Sequence, residues 1–210
     1  MPPLYSGLFE AHITVEPLDK KANNLFREFC GCLKIKPIRI ELPCGDHPVQ
    51  PMTCSNHQGN LLSVRQEVAQ LAQQLLSEGF KPIRQKIEAA PFNRDVPVTL
   101  ADVAKQQLGN YFEYHLKFLF ENRSKNDLIQ NVCMAHGAHL SRNAFERFSD
   151  GSKTYFITSR CYDVGLEAAT IRFRALRQSI AELNLHTLKS VTEYCVYDDH
   201  LGLDANWLPM

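Results

Sequence analysis

Two five-residue stretches, FEAHI at 9–13 and FEYHL at 112–116, each open a run of alternating apolar and polar residues, and the likeness extends well beyond them. When the chain is slid along itself so that His12 falls on His115, Phe9, Glu10, Asn23, Leu25, Cys30 and Arg39 fall without a gap on Phe112, Glu113, Asn126, Leu128, Cys133 and Arg142. Small loop insertions then shift the match, so that Ser55 meets Ser159 and Glu88 meets Glu193. An internal repeat constrains the fold more than any composition does, because each copy must be one supersecondary unit. The same string of elements is therefore expected twice.

Each copy opens with a strand. Phe9, Ala11, Ile13 and Val15 share one face and Glu10, His12 and Thr14 the other; Phe112, Tyr114, Leu116 and Phe118 likewise oppose Glu113, His115 and Lys117. Helices are expected over 20–33 and 125–136, and short strands over 36–42 and 50–56, then 138–145 and 153–160. A long amphipathic helix follows in each copy, carried by Leu61, Val64, Val68, Leu71 and Leu75, and by Leu166, Thr170, Phe173, Leu176, Ile180 and Leu183. The aligned Gly79 and Asn184 suit the left-handed residue that ends many helices. KPIRQKIEA and HTLKSVTEYCVY supply the last strands.

The order β-α-β-β-α-β, met twice, resembles the ferredoxin-like fold in tandem. The expected class is α+β, a tandem duplication with a first module over 1–90, a connector over 91–108 and a second module with a C-terminal tail over 109–210. The connector reads as ordered, with a short helix capped at Thr99. Helices covering the apolar rows leave the polar sheet faces free to meet at a shared cleft.

Lys+Arg and Asp+Glu balance at 23 each, which argues against binding nucleic acid or an anionic membrane by bulk charge. The N-terminal stretch lacks the basic and apolar regions of a secretory signal. No run approaches the roughly 18 apolar residues a membrane helix needs. The seven cysteines then read as reduced thiols, and a cytoplasmic protein is expected. The oligomeric state is left open.

The chemistry rests on the polar rows. First and last strands of such a module are neighbours, which sets Glu10 and His12 beside Arg84 and Glu88, and Glu113 and His115 beside Lys189 and Glu193. Such rows can simply be solvated and paired across strands. AHITV also resembles the H-x-T motif of the two-histidine phosphoesterases, bilobal proteins with one H-x-[T/S] per lobe. That resemblance implies a hydrolase for a small phosphate or nucleotide ester, working without a cofactor. His12 and His115 would be its acid–base pair, and Thr14, Lys117, Arg84 and Lys189 would contact the substrate. Lys117 stands where the family has Thr or Ser, and His139 with Ser141 spells a second candidate motif.

A metal enzyme is the alternative. His12, Glu88, His115 and Glu193 would give two nitrogens and two oxygens to one divalent ion, a layout analogous to that of the vicinal oxygen chelate enzymes. A third possibility is a non-catalytic ligand-binding or scaffold protein. Cys44, His47, Cys54 and His57 form a separate group of zinc-competent residues with no counterpart in the second copy.

Overall fold

A computed structural model describes residues 3–120, 126–146 and 153–207. The first half runs β1 (Ser6–Val15), α1 (Lys20–Cys32), β2 (Lys36–Glu41), β3 (Val49–Asn60), α2 (Leu61–Ser77) and β4 (Pro82–Ala89). After a connector containing α3 (Leu100–Val103), the second runs β5 (Tyr111–Phe120), α4 (Asn126–Ala135), β6 (Ala138–Asn143), β7 (Lys153–Tyr162), α5 (Leu166–Glu182) and β8 (His186–Asp198). A 3-10 turn, Leu201–Asp204, follows. The protein is α+β, and both halves carry the β-α-β-β-α-β order. Residue 125, the expected start of α4, and residues 208–210 of the tail lie outside the described residues.

Local chemistry explains the helix limits. Asp19 accepts a hydrogen bond from the Ala22 amide at 2.7 Å and starts α1; Asn60 accepts one from Ser63 at 3.0 Å and starts α2. Beyond the ends of α2 and α5, Gly79 and Asn184 adopt φ of 85° and 53°. At the start of α5 a side chain is impossible: a Cβ on Gly165 would sit 2.3 Å from the Val98 carbonyl oxygen. The connector uses that closeness, because Pro97 and Val98 carbonyls accept the first amides of α5. In α3, Asp102 accepts from both the amide and the hydroxyl of Thr99.

Within each half the antiparallel strand orders are β4-β1-β3-β2 and β8-β5-β7-β6. The expected cleft between two sheets is instead a closed eight-stranded barrel, because the outer strands of the halves pair with each other. β4 joins β8 through four residue pairs, with a bulge between Ile87 and Glu88. β2 joins β6 through only two, Ile40 with Asn143 and Glu41 with Arg142. Closure removes every free edge among the described strands. Strand β3 also runs past the expected 50–56, since its polar end SNHQGN stays hydrogen-bonded along β1 out to Ser6 and Asn60.

The apolar rows point outward and the polar rows inward. Phe9, Ala11, Ile13 and Val15 pack beneath Phe26, Val64, Val68 and Leu75; Phe112, Tyr114, Leu116 and Phe118 pack beneath Ile129, Phe173, Leu176 and Ile180. Burial of these side chains contributes about 1.5–3 kcal/mol each. The hydrophobic core is thus the layer between barrel and helices, and the barrel interior is left to charge. No described helix is long and apolar enough to cross a membrane.

Candidate functional site

Two strand pairs form the floor of the interior. Glu10, His12 and Thr14 of β1 lie opposite Glu88, Lys86 and Arg84 of β4; Glu113, His115 and Lys117 of β5 lie opposite Glu193, Val191 and Lys189 of β8. Because β4 also pairs with β8, the four strands are contiguous. The repeated His and Glu residues therefore share one chamber, a cavity of about 890 Å³ lined by His12, His115, Thr14, Arg84, Lys117 and Lys189 among others.

Each imidazole is clamped. His12 Nε2 lies 3.1 Å from Glu10 and 3.3 Å from Glu88, while Nδ1 faces the Thr53 carbonyl at 3.2 Å. His115 Nε2 lies 3.0 Å from Glu113 and 3.8 Å from Glu193, with Nδ1 2.9 Å from the Thr158 hydroxyl. Burial alone would lower both histidines; hydrogen bonds to the neighbouring carboxylates outweigh it, raising His115 and lifting His12 to about 10.

A chain of buried ion pairs runs from this floor to the far mouth. Lys86 Nζ is 2.9 Å from Glu88 and 2.8 Å from Glu113, whose other oxygen pairs with Arg160. Asp204 accepts from Arg160 at 2.9 Å and from Arg84 at 2.8 Å; Arg84 also holds Asp198. Trp207 lines the cavity beside this network, stacked on His139 with ring centroids 3.8 Å apart and with the Arg160 guanidinium 4.0 Å from its ring. Burial, followed by the charge of Arg160, pushes His139 down to about 3.

Two groups of potential metal ligands emerge. Glu88, His115 and Glu193 bring ligand atoms within 4.8 Å of one another, as do Glu10, His12 and Cys54. Ligands at about 2.0–2.2 Å from one ion stand about 3–4 Å apart, so small side-chain adjustments would suffice. The expected four-residue set is divided: His12 touches Glu88 but groups with Glu10 and Cys54. Glu88 is fully buried, and although Lys86 and His12 are within ion-pair reach, neither of its oxygens accepts a well-aligned hydrogen bond from any described residue.

Of the expected substrate contacts, Thr14 and the exposed Lys189 face the cavity, but Lys117 is taken by Glu146 at 2.7 Å and Arg84 by its aspartates. The loop cysteines and histidines do not converge. Cys44 donates to the Trp207 carbonyl, His47 faces His200, Cys54 points inside, and His57 bridges Ser55 and Glu67. Sequence reasoning missed Lys86, Arg160 and Asp204, and it grouped Cys54 with Cys44, His47 and His57 rather than with Glu10 and His12. Lys86 was within reach, since it lies between Arg84 and Glu88 on one period-two row. Arg160 and Asp204 carry no local signal.

No protein-family model and no curated protein matches the chain. Among solved structures, a protein from Lactobacillus acidophilus NCFM, provisionally called a monooxygenase, aligns over 91% of this chain and 93% of its own. The identity is 11% and the TM-score 0.31, a likeness too slight to carry an argument about fold or chemistry.

Proposed function

We propose that this protein is a divalent-metal-dependent enzyme acting on a small molecule held inside the barrel, with Glu88, His115 and Glu193 as the metal ligands. The observation that carries this reading is Glu88, a completely buried carboxylate with no well-formed hydrogen bond, aimed at a histidine and a second carboxylate. Lys86 at 2.9 Å and His12 at 3.3 Å offset part of its charge, and a divalent ion shared with His115 and Glu193 would supply the directed ligation that neither gives.

The donor set is compatible with a cation. At the floor Glu10, Glu88, Glu113 and Glu193 meet Lys86, Arg160 and the two imidazoles, and a divalent ion would take the place of the proton that the neighbouring carboxylates favour on His115. One imidazole and two carboxylates suit Mn²⁺, Fe²⁺ or Zn²⁺. Such an ion supplies Lewis acidity toward an oxygen of the substrate. His12, oriented by Glu10, would hold or release a proton at Nε2 beside that oxygen, and Thr14 and Lys189 would contact the rest of the molecule.

The phosphoesterase reading draws less support, because Lys117 is held by Glu146 and Arg84 by its two aspartates, so two of the four expected substrate contacts are already engaged. Calorimetric titration of the demetallated chain with Mn²⁺, Zn²⁺ and Co²⁺ tests the proposal. One site per chain is expected, weakened at least tenfold in Glu88→Gln. Failure of all three ions to bind stoichiometrically would sink it.

A further inference from the structure

The cavity above the floor has two unlike walls. On β2 the inward row is Lys36, Ile38 and Ile40, continued by Leu42 just past its end, and Met52 of β3 stands directly across from Ile38. In the other half the matching row on β6 is His139, Ser141 and Asn143, buried and polar. Two isolated apolar residues stand on the far side of this polar row: Phe156 of β7, between Ser141 and Lys117, and Val191 of β8, opposite His115. None of these apolar residues belongs to the core beneath the helices; they are half-buried and face the open cavity.

Apolar area left facing water costs about 25 cal/mol per Å², so this wall stabilises whatever apolar body covers it. Ligand pockets typically span about 300–1,000 Å³, and a cavity of about 890 Å³ exceeds what a bare phosphate or a two-carbon acid would fill. Ile38 and Met52 share a cross-strand row with Thr14 and Arg84, and Ile40 stands opposite Gln50, which donates to Asp204, so apolar and charged surfaces lie side by side in a single chamber.

We propose that the ligand is an amphipathic acid: an oxygen-chelating head, of the hydroxamate, catechol or 2-hydroxy-acid type, carried by an alkyl or aryl body that lies along Ile38, Ile40 and Met52. This assignment rests on the metal reading for its head group and on the β2 wall for its body. It excludes compact, fully polar substrates, including simple phosphate esters.

The test is a chain-length series on the full chain loaded with Co²⁺, followed by the visible absorption of the ion. Straight-chain hydroxamates from aceto- to octanohydroxamate should bind about threefold more tightly per added methylene until the wall is covered. Ile38→Thr, a replacement compatible with a strand, should remove about tenfold of the octanohydroxamate gain. If acetohydroxamate binds and octanohydroxamate binds no better, the apolar assignment falls while the metal reading stands. If Co²⁺ itself does not bind, the metal reading falls, and the body is tested on the metal-free chain by quenching of Trp207, the single tryptophan, which lines the cavity. Octanoate binding there more tightly than acetate would keep the apolar assignment; equal or absent binding would overturn it.

Discussion

Glu88 and Glu193 occupy the same place in the last strand of each half, opposite Glu10 and Glu113, and yet behave oppositely. Burial works against the charge of both. For Glu88 the neighbouring Lys86 ammonium overcomes it and the carboxyl is held below its ordinary range; for Glu193, burial and then the negative charge of Glu88 raise it to about 7. The difference comes from the residue two positions earlier. Lys86 faces His12 across the strands, whereas Val191 faces His115. Two strands with the same pattern thus supply one permanently ionised carboxylate and one that titrates near neutrality. Likeness of pattern sets where a side chain points, not what charge it carries.

The largest expected effect comes from removing the difference at Lys86. Lys86→Met strands Glu88 in the interior and leaves Glu113 with Arg160 alone, so unfolding in urea should show a loss of about 3–5 kcal/mol. A loss below about 1 kcal/mol would mean that Lys86 is not what separates the two glutamates.

Next comes pH. Glu193, ordinarily near 4.5, is raised to about 7, so the folded chain keeps a proton that the unfolded chain has released. The stability tied to it is complete below about pH 4.5 and is lost as the pH rises through about 7, a fall of a few kcal/mol at about 1.4 kcal/mol per unit. His12 adds a loss in the same direction in a higher window, from about 6.5 through about 10. Denaturant unfolding from pH 4.5 to 9 should show both, and Glu193→Gln should flatten the lower window only.

A smaller effect sharpens the comparison from the other side. Val191→Lys would set an ammonium beside Glu193, as Lys86 is beside Glu88, and should weaken divalent-ion binding by at least about tenfold. Unchanged affinity in calorimetry would count against Glu193 as a ligand. The smallest effect lies at the helix ends. Asn184→Gly gives the second half the residue the first has at Gly79, and should raise stability by about 0.5 kcal/mol in thermal unfolding.

Much of this architecture is written in short-range pattern. Alternation of Phe9, Ala11 and Ile13 with Glu10, His12 and Thr14 assigns a face to each residue, and the facing strand follows from the element order. His12 can therefore be set near Glu88, and His115 near Glu193, by counting along strands within each half, while the β4–β8 pairing brings the two sets together. Closure of the barrel is different in kind. It depends on β2 meeting β6 through Ile40 and Glu41, and nothing in either strand's own alternation specifies which edge it will find. Likewise HQGN, residues 57–60, falls beyond the strand expected over 50–56, because its strand character comes from hydrogen bonds to β1 rather than from its side chains. Arg160 and Asp204 are 44 residues apart, and their pairing exists only after the barrel has closed.

Asp204 has a consequence for how the protein is made. It neutralises Arg84, 120 residues upstream, and Arg160, 44 residues upstream, and it follows β8, the strand that joins β4. On the ribosome both guanidinium groups emerge well before the carboxylate that satisfies them. A nascent first half can lay its helices over its outer face, but its inner face must stay hydrated until nearly all of the described chain has been synthesised. Completion of the interior therefore waits on Asp204, and a chain cut before Leu201 should leave Arg84 and Arg160 without the carboxylate they share.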